Sequence, residues 1–263
     1  MARKFAFITL LVVLLAPLAA FADDDDDDNK LSAVPFVFVG TAEECGGTAG
    51  ARIVTSAWLG GMGLPDNGGN NFGTTPSDPP NKKDPHLGLL LNKNGATPIC
   101  SSAGAEIKGV KGMEVTAGFH LGFDYRNGSH CSGGSPRFNV SYRKPDNTDG
   151  FSFVGGCGND STPTDAPQDP DQWSQVRFET SNAGESFPII PTGSRIASIT
   201  LIMDEGTDTP TAARPSTDAG NPAGIGLAVV DNIDINDRLI TRGSGIADGF
   251  DRYKEKDNDK HDD

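Results

Sequence analysis

The sequence has little positive charge for its length. Its 263 residues include 22 Lys and Arg against 36 Asp and Glu, which gives a formal net charge of −14 at pH 7. Proteins that bind nucleic acids need clustered Lys and Arg side chains to contact the phosphates. The composition therefore argues against a nucleic-acid partner.

Long apolar runs are also missing, except at the amino terminus. Arg3 and Lys4 precede the apolar run Phe5–Ala16, and the small-residue cleavage signal Ala20-Phe21-Ala22 follows. This order is typical of a secretory signal peptide, and the apolar run is too short for a transmembrane helix. We therefore predict that residues 1–22 are a signal peptide. The mature protein is then secreted, extracellular or associated with the cell envelope, with no membrane span.

The motifs of common nucleophilic and metal-dependent enzymes are absent as well. The sequence has no Gly-x-Ser-x-Gly elbow, no His-Glu-x-x-His motif and no P-loop, and it contains only four histidines. An enzyme is therefore not the favoured prediction. A secreted hydrolase that uses Asp-rich loops is the least favoured of three functional hypotheses.

Cysteines are few but even in number, and all four follow the predicted signal peptide. Two disulfides are expected in an exported chain, whereas a zinc site would need short spacings such as Cys-x-x-Cys. A predicted hairpin of Phe138–Tyr142 with Phe151–Gly155, in which Val140 faces Phe153, favours one of the three possible connectivities. The expected disulfides are Cys131–Cys157 and, as the remaining pair, Cys45–Cys100.

What the chain has in excess is glycine and proline, with 33 and 18 residues. Both residues disfavour long helices, and apolar residues alternate with polar ones, as in half-buried strands. About ten short strands predict an all-β protein with a single β-sandwich of the jelly-roll type and long Gly/Pro-rich loops. The predicted strands are Val34–Val39, Arg52–Trp58, Leu87–Leu91, Glu106–Val115, Phe119–Tyr125, Phe138–Tyr142, Phe151–Gly155, Trp173–Phe178, Ile199–Met203 and Leu227–Ile235.

The pattern also divides the chain into segments. Six consecutive aspartates lie in an acidic segment, residues 23–30, and a charged tail covers residues 241–263. Both are predicted to be disordered, because such segments cannot bury enough apolar surface. The β-sandwich is expected to span residues 31–240. The longest loops, which are often functional, are predicted at 60–85, 158–172 and 206–224.

Several polar residues are candidates for ligand binding. His120 and Asp124 alternate away from the apolar face of one strand, and Arg137 and Asn139 do so on another. Trp58 follows a strand and precedes a long loop, so it is expected either at a rim, where it would stack on a sugar, or in the core.

Two aspartates are candidates for calcium ligands, because Asp-rich strand ends commonly form turns or calcium sites. Asp204 ends a strand, and Asp231 falls on the same face as the apolar residues of the last long strand. The Asp231 carboxylate therefore needs a partner, or a β-bulge must turn it outward. The candidate partners are a structural Ca²⁺, an arginine such as Arg137 or Arg177, and backbone N–H groups.

A group of short motifs between about residues 118 and 236 resembles secreted bacterial jelly-roll proteins of the galactose-binding-like or carbohydrate-binding-module-like type. Asp231-Asn-Ile-Asp-Ile235, for example, is similar to the closing strand of many such modules. The other motifs are Leu121-Gly-Phe-Asp-Tyr125, Gly134-Ser-Pro-Arg-Phe-Asn-Val140, Phe151-Ser-Phe-Val-Gly-Gly-Cys157, the run from Trp173 to Phe178, and Ile199-Thr-Leu-Ile-Met-Asp-Glu205. The resemblance implies a jelly roll, a structural Ca²⁺ and a glycan ligand, and it assigns no catalytic residue.

The leading functional hypothesis is a non-catalytic binding or surface-associated module. Its expected ligand is a polysaccharide or a cell-surface glycan, bound on the face or loops that carry His120, Asp124, Arg137 and Asn139. The alternative hypothesis is a structural cell-envelope protein, or one that associates in a calcium-dependent way.

Overall fold

The computed structural model describes residues 30–50, 53–66, 86–159, 163–209 and 225–243. The predicted signal peptide, the six consecutive aspartates, most of the charged tail and parts of the three long loops lie outside these ranges. The described residues form β-strands and one short 3-10 helix. The strands are β1 Ser32–Val39, β2 Val54–Leu59, β3 Gly88–Lys93, β4 Ser101–Lys108, β5 His120–Arg126, β6 Arg137–Arg143, β7 Asp149–Gly155, β8 Thr164–Asp165, β9 Trp173–Glu179, β10 Ser186–Phe187, β11 Arg195–Met203, β12 Leu227–Ile235 and β13 Arg238–Ile240.

The strands form two antiparallel sheets, which confirms the predicted all-β sandwich. Sheet A has the order β1-β4-β11-β6-β7-β10, and sheet B has the order β2-β3-β12-β5-β9-β8, with β13 added to β12. The inner strands β11 and β12 pair with strands that are distant in sequence, and the chain crosses repeatedly between the two sheets. This connectivity is that of a jelly roll.

The main core fills the space between the two sheets. Alternate residues of facing strands point inward, because successive side chains of a strand lie on opposite faces. Phe123 of β5 contacts both Phe138 of β6 and Phe178 of β9, with ring centroids 6.0 and 6.1 Å apart. All three rings are fully buried.

A second apolar cluster lies on the outer face of sheet B. Leu64 and Ala166, from two loop segments, pack there against Trp173 and Val229. Because these loops cover part of the sheet, polar side chains on the outer face of sheet B are buried as well. Asp124 and Asp231 are each only 1% exposed.

The hairpin of β6 and β7 forms as predicted, but its predicted register was wrong by one residue. Val140 lies opposite Ser152, and Phe153 lies opposite Asn139. Shifting a strand by one residue moves each side chain to the other face of the sheet. Phe151 and Phe153 therefore lie on the outer face of sheet A, where they are 45% and 41% exposed.

Strand β12 contains a β-bulge, which was one of the arrangements predicted for the Asp231 carboxylate. The register of β12 against β5 shifts between Asp231 and Asp234, and Asn232 has a φ of 44°. Val229 consequently packs in the outer cluster, whereas Ile233 belongs to the main core. The expectation that the apolar residues of this strand share one face was wrong, because a β-bulge changes which face the following side chains point to.

Other strand boundaries also differ from the prediction. Strand β4 was predicted over Glu106–Val115, but it begins at Ser101 and ends at Lys108. It ends there because Gly109 adopts a φ of 76°, which interrupts the extended backbone. Three short strands, β8, β10 and β13, were not predicted, since two or three residues give too little alternation to recognise.

Both predicted disulfides are present. Cys45 and Cys100 have their Cα atoms 5.7 Å apart, and Cys131 and Cys157 have theirs 5.2 Å apart. Disulfides persist in oxidising compartments and are rare in the cytosol of most organisms. Within the described residues, no helix is long and apolar enough to cross a membrane.

Removing either disulfide should lower stability. The two bonds close loops with sequence separations of 55 and 26 residues, and the chain-entropy model gives about 3–4 kcal/mol for loops of these sizes. We expect the double variants Cys45→Ser/Cys100→Ser and Cys131→Ser/Cys157→Ser each to lose about this much free energy of unfolding, measured by urea denaturation. A loss below about 1 kcal/mol, well under the usual range, would contradict the expectation.

Candidate functional site

The four polar candidates lie on opposite sides of the sandwich. His120 and Asp124 belong to β5 of sheet B, whereas Arg137 and Asn139 belong to β6 of sheet A. In both strands they alternate with core residues, so each pair lies on the outer face of its own sheet. One face cannot present all four residues to one ligand, and the expectation of a single shared face was wrong.

Trp58 is a core residue. Its side chain is fully buried, and its indole Nε1 donates a hydrogen bond to the carbonyl oxygen of Ala33 at 2.9 Å. The hydrogen bond satisfies the only polar atom of the ring, so burial costs little. Of the two positions considered for Trp58, the rim position was therefore wrong.

Asp124 is part of a buried polar network under the loops that cover sheet B. Its Oδ2 accepts a hydrogen bond from Asn232 Nδ2 at 2.7 Å, and its Oδ1 accepts from Gln175 Nε2 at 3.2 Å and from Arg177 at 3.3 Å. Burial raises the pKa of Asp124, and the neighbouring Arg177 partly opposes the increase. These contacts make Asp124 a structural residue with almost no surface for a ligand.

The partners of the Asp231 carboxylate are backbone N–H groups, one of the three kinds of partner considered from the sequence. Its Oδ2 accepts a hydrogen bond from the backbone N–H of Leu64, and its Oδ1 accepts from the N–H of Asn232, both at 2.7 Å. Burial raises its pKa well above the usual range, despite these hydrogen bonds, and the carboxylates of Asp66 and Asp124 add to the increase. The carboxylate thus ties the loop before Asp66 to strand β12.

The two calcium candidates do not come together. Asp231 lies under the loops of sheet B, whereas both carboxylate oxygens of Asp204 accept hydrogen bonds from Arg137 at 2.6 Å. A calcium site needs six to eight oxygen ligands in one place. Among the described residues, neither aspartate belongs to a group of three His, Cys, Asp or Glu side chains whose ligand atoms lie close together.

One group of three possible metal ligands does occur among the described residues. It consists of His120, Asp234 and Asp237, whose ligand atoms lie within 4.8 Å of one another. However, Asp234 Oδ2 also lies 2.7 Å from Arg177 Nε. This guanidinium already balances the charge of the carboxylate and would repel a metal ion, so the group is a poor metal site.

The outer face of sheet A is different, because it exposes aromatic rings. Phe187 of β10 lies opposite Phe153 of β7, and the rings of Phe151 and Phe153 meet edge to face with centroids 5.0 Å apart. Their exposed fractions are 45% for Phe151, 41% for Phe153 and 42% for Phe187. We call these three residues, with Arg137 and Asn139, the aromatic face.

The polar residues of this face lie directly beside the rings. Arg137 lies over the ring of Phe153, with its guanidinium carbon 5.0 Å from the ring centroid, and it holds Asp204 in a two-point ion pair. Asn139 is the cross-strand neighbour of Phe153. Its buried Oδ1 makes no hydrogen bond with the described residues.

An open pocket of about 420 Å³ adjoins the aromatic face at Arg137. Its lining includes Phe38, Lys93, Ile99, Asp204 and Glu205. Lys93 Nζ donates hydrogen bonds to the carbonyl oxygens of Thr97, Ile99 and Asp204, and burial lowers its pKa. The pocket therefore offers ion-paired and hydrogen-bonding groups beside apolar surface, a combination that suits a polar ligand with an apolar side.

Sequence reasoning identified the polar part of the aromatic face and missed the aromatic part. Arg137 and Asn139 were found by their alternation. Phe153 was placed opposite the core residue Val140 because the predicted hairpin register was off by one residue, and Phe187 was missed because β10 was not predicted. The order Ser152, Phe153 and Val154 fits a strand with either Phe153 or its two neighbours facing the core, so it does not decide between the two registers.

The raised pKa of Asp231 predicts a pH dependence of stability. The folded protein binds the proton of Asp231 more tightly than the unfolded chain, whose aspartates titrate at about pH 3.9. The contribution of this residue to the free energy of unfolding therefore increases as the pH falls from above the folded pKa toward that value.

The variant Asp231→Asn removes this titration and keeps one oxygen that can accept a hydrogen bond. We expect the stability of the wild type relative to the variant to increase as the pH is lowered from 7 to about 4.5. Urea denaturation of both proteins over this range measures the difference. Asp124 is present in both proteins, so its contribution to the stability difference cancels to first order. A stability difference that stays constant or decreases as the pH is lowered would contradict the raised pKa of Asp231.

Comparison with known proteins provides no assignment. A scan against protein-family models gave no match, and a search of curated proteins gave none either. The resemblance to galactose-binding-like modules therefore stays a prediction, and the case for a function rests on the residues of the site.

Proposed function

We propose that this protein is a secreted, non-catalytic binding module for a polysaccharide or a cell-surface glycan, and that the aromatic face is its binding surface. The observation that supports this proposal best is the group of three Phe side chains, each more than 40% exposed, next to Arg137 and Asn139. Exposed large apolar groups that form a contiguous patch are typical of binding surfaces.

The chemistry of a sugar fits this surface. One side of a pyranose ring carries C–H groups that pack on aromatic rings, and its edges carry hydroxyl groups that hydrogen-bond with planar polar side chains. Phe153 supplies the apolar contact, while Arg137, which lies over that ring, and its partner Asp204 supply donors and acceptors.

The size of the face suits a chain of sugars. Sheet A has six strands, so its outer face is about 24 Å wide across the strands at the usual strand spacing. Phe36 lies at the other end of the same face, on β1, with its ring over Gly104. An added Cβ at Gly104 would lie 2.7 Å from that ring, so the glycine leaves room for it.

Secretion is supported by the amino-terminal sequence and is compatible with the two disulfides. Both bonds should form after export from a reducing compartment. The proposed location is extracellular or at the cell envelope.

Removing the exposed rings should weaken glycan binding without unfolding the protein. We expect Phe153→Ala and Phe187→Ala each to weaken binding up to about tenfold, because a lost aromatic contact costs up to about 1.4 kcal/mol. Retention on a glycan array, followed by calorimetry with the retained glycan, measures this effect. The melting midpoint should change little, because both residues lie on the outer face of the sheet and outside the core.

Leu239→Ala is a matched control. Leu239 is 54% exposed and lies on β13 of sheet B, away from the aromatic face. It should keep the wild-type affinity. Absence of any retained glycan, or equal losses in all three variants, would reject the aromatic face as the binding surface.

A simple measurement tests for a structural calcium ion and, with it, the alternative function of calcium-dependent association. Because Asp204 and Asp231 are satisfied by Arg137 and by backbone N–H groups, we expect the melting midpoint to be the same in EDTA and in calcium chloride. A rise of several degrees in calcium would support a structural ion and the alternative function.

A further inference from the structure

The basic side chains on the outer face of sheet A are all held by carboxylates. Four strand residues of this face are basic, and each lies within 3.3 Å of an acidic side chain. The pairs are Arg137–Asp204 at 2.6 Å, Lys108–Glu106 at 2.8 Å, Arg143–Asp149 at 3.2 Å and Arg195–Glu114 at 3.3 Å.

The strongest of these pairs lies where a ligand would contact the aromatic rings. Arg137 donates to both oxygens of Asp204 and also donates to the carbonyl oxygen of Gly134 at 2.7 Å. A guanidinium in a two-point ion pair has little left to offer a second carboxylate in the same plane. An acidic ligand would therefore have to displace Asp204.

The open pocket beside Arg137 also disfavours an acidic ligand. The Lys93 ammonium donates to three backbone carbonyl oxygens, which uses its three protons. Glu205, on the same pocket wall, has one carboxylate oxygen 2.8 Å from His130 Nε2 and remains partly exposed. A negative group that entered the pocket would meet this carboxylate and that of Asp204.

From these contacts we propose that the aromatic face selects neutral polysaccharides and rejects acidic ones that carry uronate, carboxymethyl or sulfate groups. This inference rests on the proposed glycan-binding function and specifies the class of ligand. A neutral sugar hydrogen-bonds with the existing ion pairs without breaking them. An acidic sugar meets repulsion from the paired carboxylates and from a chain of net charge −14.

The experiment uses neutral and acidic forms of the same backbone, so that only the charge differs. Suitable pairs are hydroxyethyl and carboxymethyl cellulose, dextran and carboxymethyl dextran, and hydroxypropyl guar with its carboxymethylated form. Affinity electrophoresis of the secreted protein measures retention by each polymer at low ionic strength and in 0.5 M NaCl.

For each backbone that is bound, we expect the neutral form to be retained about tenfold more strongly than the acidic form at low salt. The difference should shrink in 0.5 M NaCl, because salt screens repulsion between exposed charges. Phe153→Ala should reduce the retention of the neutral form.

A double variant tests whether the carboxylates of the ion pairs cause the selectivity for neutral polysaccharides. Glu106→Gln and Asp149→Asn remove the partners of Lys108 and Arg143, respectively, on exposed parts of the face. We expect the double variant to bind the acidic polymer more tightly and the neutral polymer about as well as the wild type. The matched control Asp237→Asn removes an exposed carboxylate near His120, on the side of sheet B, and should leave the selectivity unchanged.

The outcomes separate this inference from the function it rests on. Equal or tighter retention of the acidic forms at low salt, still lost in Phe153→Ala, would overturn the preference for neutral chains and leave glycan binding intact. An unchanged selectivity in the double variant would overturn the role of the ion pairs. Retention of none of the polymers, together with an empty glycan array, would overturn the proposed function and this inference with it.

Discussion

The register of β6 against β7 decides which side chains the sandwich buries and which it leaves in water. With Asn139 opposite Phe153, the small residue Ser152 and Val154 point inward, and two phenylalanines point outward. The buried Ser152 hydroxyl donates to the carbonyl oxygen of Pro188 at 2.6 Å and lies 3.0 Å from the hydroxyl of Ser186. These contacts satisfy the hydroxyl inside the protein, so the register is compatible with a sealed core.

The outer face of sheet B is largely covered by loops, whereas the outer face of sheet A exposes its aromatic rings. On sheet B, loops cover Asp124 and Asp231. The Asp231 carboxylate holds one loop through the backbone N–H of Leu64, and the Asn232 side chain links Asp124 to Gln168 of the other loop. On sheet A, the described residues place no such cover over Phe153 and Phe187, which stay exposed. The fold thus uses one face for its own stability and presents the other to its surroundings.

Much of the fold could be predicted from alternation and turn residues, because these report local geometry directly. The long strands, both disulfides and the need of the Asp231 carboxylate for a partner or a β-bulge were recognised in this way. The hairpin register was not, since Phe151 and Phe153 alternate with Ser152 as core residues usually do. Register is set by the turn, where Asn147 adopts a left-handed conformation with a φ of 64°, and by the contacts of Ser152, neither of which hydrophobicity reports.

The candidate site was only half predictable for the same reason. Arg137 and Asn139 are polar residues in a strand, so alternation alone placed them outside. That His120 and Asp124 lie on the other sheet depends on the order of strands, which requires pairings between residues far apart in the chain. The burial of Trp58 likewise depends on a hydrogen bond to Ala33, a residue 25 positions away.

The Cys131–Cys157 disulfide lies beyond the open end of the β6–β7 hairpin, before β6 on one side and after β7 on the other. It closes a ring with a sequence separation of 26 residues that contains both strands and their turn. In the unfolded chain this ring already keeps β6 and β7 near one another, which lowers the entropy that the chain loses when the two strands pair. The crosslink therefore favours formation of the same hairpin that carries Phe151 and Phe153 on its outer face.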